Sequence, residues 1–322
     1  MVIQIPCYNE EATLGIALQA LPRHLPGVDK VEWLIIDDGS TDRTVEIARA
    51  HGVDHIVSLP HNQGLARGFM AGIEACLQLG ADIIVNTDAD NQYCAEDIPD
   101  LILPILRGRA QMVVGARPIR NIEHFSFLKK GLQQLGSYVV RLASKTDIPD
   151  APSGFRAISR EAALRLNVFN DYTYTLETII QAGQKGIPVA WVPIRVNPDL
   201  RPSRLVKSIH SYVFRSVGTI FLIFMTYRPL RFFSLLGAFP FSIGFILGLR
   251  WLALYLWGTE RTHLPSLVLT AILLLIGFQT WMLGLMANLF ANNRKLLEDI
   301  QLRDRRTSAA AAEAAPVKDM AA

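Results

Sequence analysis

Short apolar runs and helical patterns alternate along the N-terminal part of the chain. The runs at 2–5, 31–36 and 81–85 have the length of buried strands, and a three–four apolar spacing typical of a helix follows, as at 12–21. This alternation predicts an α/β domain with a mainly parallel sheet. Each run ends in a polar cluster, and open sheets of this kind bind ligands beyond the carboxyl ends of their strands. We therefore expect the three clusters to surround one site.

The cluster after the third run carries two aspartates two positions apart. Asp88 and Asp90 point the same way on an extended segment, because strand side chains repeat with period two. Magnesium-like ions take oxygen ligands, use one or two carboxylates and leave other positions to phosphates and water. The pattern predicts a Mg²⁺ or Mn²⁺ site at Asp88, Asp90 and Gln92, although the same spacing also occurs in ordinary polar turns.

Three motifs in this order resemble the signature of family 2 glycosyltransferases with the GT-A fold. They are Pro6-x-Tyr8-Asn9-Glu10, Asp37-Asp38-Gly39-Ser40 and Asp88-Ala89-Asp90-x-Gln92. Two later segments are similar to the dolichol-phosphate mannose synthase branch, which includes bacterial polyprenyl-phosphate glycosyltransferases. These segments are Ser153-Gly154-Phe155-Arg156-Ala157 and Arg201-Pro202-Ser203-Arg204-Leu205. The resemblance covers about residues 2–231 and implies a Rossmann-like GT-A catalytic domain.

The resemblance implies a nucleotide-sugar donor and a set of residues that bind it. The implied donor-binding positions are Pro6, Tyr8, Asn9, Glu10, Ile35, Asp37, Asp38, Asp88, Ala89, Asp90, Arg201, Arg204 and Lys207. Among them Asp37 would hold the nucleoside, and Pro6, Tyr8 and Glu10 would line the base pocket. The residues leave two alternatives open: Tyr8 as a ring packed on the sheet, and Glu10 as an acid that the helix dipole favours in a first turn.

The acceptor implied by the resemblance is a polyprenyl phosphate. Arg and Lys suit a phosphate through charge-assisted hydrogen bonds, and the candidates are Arg117, Lys129, Lys130, Ser153 and Arg156. Arg117 has the alternative role of a structural ion pair. The apolar stripe of 123–144 predicts a helix that either packs on its own domain or contacts lipid.

The predicted chemistry is a single displacement that inverts the sugar. A phosphate monoester has a second pKa near 6, so it is largely a dianion at neutral pH and needs no general base. Positioning and charge stabilisation then suffice, and the predicted catalytic residues are Asp88, Asp90, Arg117 and Arg201. Asp150 is a candidate for orienting the acceptor. Some relatives carry an acid directly before the Phe-Arg pair, but Gly154 stands there, so no general base is assigned.

The C-terminal third has the composition of a membrane protein. Half of the whole chain is apolar, 19% is charged and the mean hydropathy is +0.25. The apolar segments 232–257 and 264–290 exceed the roughly 20 residues that cross a hydrocarbon core, with two buried helices of a soluble domain as the alternative. Positive residues flank both segments on the outer sides, so the positive-inside rule predicts a cytoplasmic catalytic domain and tail at the plasma or inner membrane. The three cysteines lack metal-ligand spacing, which favours reduced thiols.

The predicted organisation has five parts. A GT-A domain at 1–205 precedes basic interfacial helices at 206–231, transmembrane helices at 232–257 and 264–290, and a cytoplasmic, largely disordered tail at 291–322. From 195 to 231 the sequence has seven Lys or Arg residues against one acid, which favours anionic headgroups or a substrate diphosphate. Glycines at 237, 244 and 248 have close-packing spacing, and a homo-oligomer is one possible use of them.

The hypothesis is therefore transfer of one hexose, mannose from GDP or glucose from UDP, to polyprenyl phosphate at the cytoplasmic membrane face. A processive polysaccharide synthase is one alternative, but the chain lacks a Gln-x-x-Arg-Trp motif. A non-catalytic nucleotide-binding membrane adaptor is another. A Rossmann oxidoreductase is excluded, because no Gly-x-Gly-x-x-Gly follows the first strand. No nucleic-acid partner is predicted.

Overall fold

A computed structural model describes the chain in several ranges. These are residues 1–118, 137–138, 140–141, 144, 146–168, 174–198, 218, 221–222, 225–258 and 264–314, with side chains described as far as 308. The chain divides into two compact units. The first comprises Met1–Ser216 with Ile300–Ala322, and the second comprises Val217–Asp299.

The first unit is built on a seven-stranded sheet. Its strands are β1 (Val2–Cys7), β2 (Glu32–Asp37), β3 (His55–Ser58), β4 (Ile83–Asn86), β5 (Met112–Ala116), β6 (Arg156–Ser159) and β7 (Val189–Pro193). The order across the sheet is β3-β2-β1-β4-β6-β5-β7. Only β6 runs antiparallel to its neighbours among these strands. The predicted mainly parallel sheet is therefore confirmed.

Helices cover this sheet, which explains why its central strands are apolar on both faces. They are α1 (Leu14–Ala20), α2 (Thr44–Ala50), α3 (Leu65–Gln78), α4 (Ile98–Leu106), α5 (Arg160–Arg165) and α6 (Thr175–Gln184). All residues of β4 and β5 are buried. Helix α5 begins where the Ser159 hydroxyl accepts a hydrogen bond from the Ala162 N–H at 3.3 Å, a helix cap encoded by the local sequence.

The register of the sheet places residues from three strands at one edge. Gln4 of β1 pairs with Asn86 of β4, and Asn86 pairs with Arg156 of β6. Because β6 is antiparallel, its first residue lies beside the last residue of β4. The loop that precedes β6 therefore reaches the same edge as the loops that follow β1, β2 and β4.

The second unit contains a helical hairpin. Its helices are α7 (Pro229–Leu256) and the first part of α8 (Leu264–Ala314). A Cβ added at Gly237 would lie 2.8 Å from the Gly277 oxygen, and one added at Gly244 would lie 2.9 Å from the Leu273 Cβ. The predicted close-packing glycines of the first apolar segment thus face α8 of the same chain. Their proposed use in a homo-oligomer stays a prediction.

Both hairpin helices are long and apolar enough to cross a membrane. Only 11% and 17% of their most apolar windows are buried, which is far below what a core helix of a soluble domain would show. The predicted spans at 232–257 and 264–290 fall almost entirely within α7 and α8. Most of the predicted interfacial segment at 206–231 lies outside the described residues.

Helix α8 continues to Ala314, well beyond the predicted second span. Arg305 donates to Glu74 of α3 at 3.1 Å and to the Leu166 carbonyl at 2.7 Å, and Arg306 donates to Glu161 of α5 at 2.7 Å. Residues 291–314 are thus helical, in contrast to the largely disordered tail expected there. Alanine has the highest helix propensity, which favours a helix through this stretch despite its low complexity.

Candidate active site

The loops after β1 and β2 are held together by Asn9. Its backbone N–H donates to the Ser40 hydroxyl at 3.0 Å, and its side-chain oxygen accepts from the Thr41 N–H at 2.8 Å. Asn9 has a positive φ of 55°, a conformation that Asn adopts more readily than most residues. Two of the three predicted polar clusters therefore form one hydrogen-bonded surface.

Asp37 and Asp38 are both buried, but their carboxylates have different partners. Asp37 accepts from the Ser40 N–H at 2.9 Å, which closes the turn at the end of β2. Asp38 uses both oxygens to accept from the backbone N–H groups of Gln63 and Gly64, at 2.7 and 2.9 Å. Asp38 thus braces the loop before α3. Its predicted contact with the donor stays a prediction.

The aspartates of the third cluster lie just beyond the carboxyl end of β4. Both are half-buried, and Asp90 accepts from the Gln92 backbone N–H at 3.1 Å. A Cβ built on Gly154 would lie 3.3 and 3.4 Å from the two carboxylate oxygens of Asp88. The loop before β6 therefore closes one side of the aspartate pair.

The chemistry of this pair suits a hard divalent cation. Asp88 and Asp90 offer carboxylate oxygens, and across the part of the chain that the structure describes no group of three or more His, Cys, Asp or Glu side chains comes together. Mg²⁺ and Mn²⁺ favour oxygen ligands, and Mg²⁺ in particular uses one or two carboxylates together with substrate phosphates and waters. The residues therefore fit a metal ion shared with a diphosphate better than one enclosed by protein.

The Gly154 peptide next to Asp88 is held by three side chains. Its N–H donates to the Tyr93 hydroxyl at 3.0 Å, and its carbonyl accepts from Asn86 Nδ2 at 2.9 Å and from the Tyr174 hydroxyl at 3.4 Å. Asn86 Nδ2 also donates to the Tyr174 hydroxyl at 2.9 Å. Burial raises the pKa of the Tyr93 hydroxyl to about 12 and that of the Tyr174 hydroxyl well above its usual value. Both phenols are therefore neutral donors or acceptors at physiological pH.

Sequence reasoning missed these three residues. Asn86 is the last residue of β4, fully buried, and its oxygen accepts from Gln4 Nε2 of β1 at 2.9 Å. A polar residue at the end of an apolar run was the one available signal for Asn86. Tyr174 has no local signal at all, because its partner is twenty positions away along the chain.

Arg117 forms a buried ion pair with Asp150. Its Nε and Nη2 donate to the two carboxylate oxygens at 2.7 and 3.1 Å, and its backbone N–H donates to the same carboxylate at 3.2 Å. Burial acts to lower the pKa of the guanidinium, but Tyr93 and Asp150 raise it above its ordinary value. The alternative role considered for Arg117, a structural ion pair, is the one this geometry shows.

The sequence model described as "Glycosyl transferase family 2" matches residues 2–166, which is half of the chain. This protein belongs to glycosyl transferase family 2. The polar clusters, the aspartate pair and six of the seven strands of the glycosyltransferase lie within the matched region.

Two curated relatives extend the comparison. One is the UDP-N-acetylglucosamine–dolichyl-phosphate N-acetylglucosaminyltransferase of Methanococcus voltae, 30% identical over 59% of this chain and 83% of that protein. The other is the undecaprenyl-phosphate 4-deoxy-4-formamido-L-arabinose transferase of Shewanella sediminis, 27% identical over 94% of this chain and 89% of that protein. The second alignment includes the region of the two long apolar helices. The glycosyltransferase is thus placed among relatives that act on polyprenyl phosphates.

A solved structure shares the fold. Glucosyl-3-phosphoglycerate synthase from Mycobacterium tuberculosis, in complex with Mn²⁺, UDP and glucosyl-3-phosphoglycerate, matches with a TM-score of 0.53 at 22% identity. The match covers 70% of this chain and 78% of that one. Together with the sheet order it confirms the GT-A-like fold that the motifs implied.

Arg156 of the glycosyltransferase is fully buried. Its Nε donates to the Ser153 carbonyl at 2.9 Å, its Nη2 to the Ala151 carbonyl at 2.8 Å and its Nη1 to the Thr178 hydroxyl at 2.5 Å. Burial lowers its pKa to about 10. Arg156 therefore holds the loop before β6 in shape, and its predicted contact with an acceptor phosphate stays a prediction.

Ser153 differs from Arg156 in this loop. Its side chain is buried, and its hydroxyl oxygen has no hydrogen-bond partner among the described residues. A buried hydroxyl without a partner costs free energy unless a ligand or water satisfies it. Ser153 thus keeps its predicted place as an acceptor-binding candidate.

The other described residues predicted to bind the donor lie towards the carboxyl ends of β1, β2 and β4. Tyr8 is 41% exposed, while Ile35 and Ala89 are buried and Pro6 is half-buried. The Glu10 carboxylate accepts from the Thr13 hydroxyl at 2.8 Å, but Glu10 precedes α1 and does not lie in its first turn, in contrast to the alternative role considered for it. The predicted cations Lys129, Lys130, Arg201, Arg204 and Lys207 lie outside the described residues.

Proposed function

We propose that this glycosyltransferase moves one hexose from a nucleotide sugar to a polyprenyl phosphate, with inversion of the anomeric carbon. The observation that carries the proposal is the Asp88–Asp90 pair at the carboxyl end of β4, with Gly154 of the loop before β6 next to Asp88. The polyprenyl-phosphate substrates in the names of its relatives support the choice of acceptor.

Asp88 and Asp90 would hold the divalent ion, Mg²⁺ or Mn²⁺, against the donor diphosphate. The ion supplies Lewis-acid stabilisation of the charge that builds on the leaving group. The solved relative that contains Mn²⁺ and UDP supports an ion of this type. Asp37, at the end of the neighbouring strand β2, would hold the nucleoside.

The cationic segment 201–207 would face the same diphosphate. The chain leads into it from Asn197, whose backbone N–H donates to the Gln92 carbonyl at 2.9 Å. Fixed positive charge aimed at a leaving group stabilises the transition state. The entry point of the segment supports the roles proposed for Arg201, Arg204 and Lys207.

The acceptor side requires no general base. A phosphate dianion attacks without losing a proton first, so the protein needs to position it and balance its charge. Gly154 contributes by its lack of a side chain, since a Cβ there would lie 2.9 Å from the Tyr174 hydroxyl. The Ser153 hydroxyl is a donor for the acceptor, and Lys129 and Lys130 are the proposed cations.

The site of action would be the cytoplasmic face of the plasma or inner membrane. The exposed apolar helices α7 and α8 would span the membrane, and the Lys and Arg residues on their outer flanks would remain in the cytoplasm. Membrane anchoring raises the effective concentration of the lipid acceptor.

The identity of the transferred sugar is the most specific part of the proposal. We infer mannose from GDP-mannose or glucose from UDP-glucose. The relatives transfer different sugars, including N-acetylglucosamine, a formamido-arabinose and mannose, so the test must screen donors.

The test uses the full-length protein in lipid nanodiscs with Mg²⁺ or Mn²⁺, undecaprenyl phosphate and a panel of radiolabelled nucleotide sugars. We expect label from one donor to enter the organic-extractable lipid. Asp90→Asn should abolish this transfer, whereas Asp82→Asn, the same change at the opposite end of β4, should preserve it. Consumption of a donor with another acceptor would overturn the lipid-phosphate assignment. Full activity of Asp90→Asn would overturn the metal assignment, and binding of a donor without its consumption would favour the non-catalytic adaptor.

A further inference from the structure

The chain that leaves β7 runs along the turn that follows Asp90. Asn197 Nδ2 donates to the Asn91 carbonyl at 2.9 Å, and the Asn197 backbone N–H donates to the Gln92 carbonyl at 2.9 Å. Val196 forms an antiparallel bridge with Tyr93. Residues about one hundred positions apart thus share a short, two-stranded contact.

A second contact fixes the same segment. The Arg195 backbone N–H donates to Asp97 Oδ2 at 2.6 Å, and its Nε and Nη2 donate to Asp97 Oδ1 at 2.9 and 2.6 Å. Asp97 is 6% exposed, so this carboxylate is committed to Arg195. We call residues 195–197, held in this way, the 195–197 clamp.

The turn held by the clamp lacks regular secondary structure of its own. Asn91 has a positive φ of 56°, and Asp90 makes a local hydrogen bond to the Gln92 N–H. A positive φ on a residue other than glycine persists where surrounding contacts over-determine it. Asn197 supplies such contacts, because it donates to three successive carbonyls, those of Asn91, Gln92 and, at 3.5 Å, Tyr93.

We propose that Asn197 is a positioning residue for the metal and nucleotide site, acting through the turn that carries Asp90 and Gln92. The inference rests on the proposed function. Partners one step removed from a metal ligand orient it, and their loss typically weakens metal binding about 10- to 100-fold. The Asp97–Arg195 ion pair fixes the backbone that brings Asn197 to the turn.

The test measures binding of Mn²⁺ together with a nucleoside diphosphate, UDP and GDP separately, by titration calorimetry on the full chain in nanodiscs. Asn197→Ala should weaken Mn²⁺-dependent nucleotide binding about tenfold or more. In turnover it should raise the Mn²⁺ concentration needed for half-maximal rate, and saturating Mn²⁺ should restore kcat. A purely structural role would lower the melting temperature without this Mn²⁺-dependent rescue.

A carboxylate pair near Arg195 provides the matched controls. Asp97→Asn removes the charge of the buried partner of Arg195 and should raise the Mn²⁺ concentration needed for half-maximal rate. Glu96→Gln removes the charge of an exposed partner of Arg195 and should leave that concentration unchanged. If Asn197→Ala fails to fold, Asp97→Asn gives the same readout. Wild-type-like Mn²⁺ dependence in both Asn197→Ala and Asp97→Asn would overturn the clamp alone. Absence of metal-dependent nucleotide binding in the wild type would overturn the proposed function as well.

Discussion

The Arg117 guanidinium meets the Asp150 carboxylate through two hydrogen bonds, with N–O distances of 2.7 and 3.1 Å. Their side chains are 11% and 1% exposed, so neither charge is screened well by water. Removing one member of such a pair leaves the other buried and uncompensated. The pair therefore ties the end of β5 to the loop before β6.

Arg117→Ala is expected to destabilise the catalytic unit by about 3–5 kcal/mol, because Asp150 loses its partner. Unfolding followed by intrinsic fluorescence would measure this change. The double variant with Asp150→Ala should cost less than the sum of the single changes. Arg43→Ala removes an exposed ion pair with Glu11 and is the control, with no measurable change expected. Equal stability of the Arg117 and Arg43 variants would contradict a structural role.

Asp38→Ala should loosen the loop before α3. The backbone N–H groups of Gln63 and Gly64 lose their acceptor, and each buried unsatisfied group costs about 1–3 kcal/mol. Faster hydrogen–deuterium exchange at 60–65 would report the change. Asp37→Asn should instead raise the donor KM with little effect on that exchange. Unaltered hydrogen–deuterium exchange at 60–65 in Asp38→Ala would show that the Asp38 carboxylate does not stabilise this loop.

Stability should fall in alkaline solution through Tyr93. Burial, aided by the charge of Asp88, raises the pKa of Tyr93 to about 12, above the value of about 10 in an unfolded chain. The contribution is fully present below pH 10 and is lost as the pH rises towards 12. One such group changes the free energy of unfolding by up to about 1.4 kcal/mol per pH unit.

The variant Tyr93→Phe tests this dependence. It removes the acceptor of the Gly154 N–H, so stability near neutral pH should be lower. Between pH 10 and 12 its melting temperature should fall less steeply than that of the wild type, with Tyr174 responsible for a remaining slope. Parallel curves for the two proteins would exclude Tyr93 as the titrating group.

Reversing the charge of Arg305 should separate the C-terminal part of α8 from helix α3. Arg305→Glu places a carboxylate beside Glu74 and should increase hydrogen–deuterium exchange at 300–308 several-fold. Combining it with Glu74→Arg should restore protection. Arg303→Glu, at an exposed neighbouring position, is the matched control with wild-type exchange expected. A double variant as unprotected as the single one would argue against this ion pair.

The sheet was largely predictable from the sequence. The apolar runs at 2–5, 31–36 and 81–85 correspond to β1, β2 and β4, because buried parallel strands are continuous apolar segments flanked by turn residues. The antiparallel direction of β6 is not encoded in its short sequence, since periodicity gives no direction.

The position of the site was more predictable from the sequence than the roles of its individual residues. Arg117 and Arg156 have the chemistry of phosphate ligands, yet one is paired with Asp150 and the other donates to carbonyls and a hydroxyl. An arginine side chain is identical in both uses, and only the fold supplies its partners. The same holds for Asn197, whose carbonyl partners lie more than one hundred positions earlier.

Because strand β6 is antiparallel, residues from two separate stretches of sequence meet at one edge of the sheet. The proposed metal ligands Asp88 and Asp90 follow their strand, whereas the Gly154 loop reaches the edge before its strand, with Asn86 and Arg156 side by side in the register. Besides the pairing of β4 with β6, the two stretches meet at this edge through the hydrogen bonds of Asn86 and Tyr93 to Gly154. In the proposed reaction, substitutions in the Gly154 loop would therefore change the acceptor while Asp88 and Asp90 keep their places after β4.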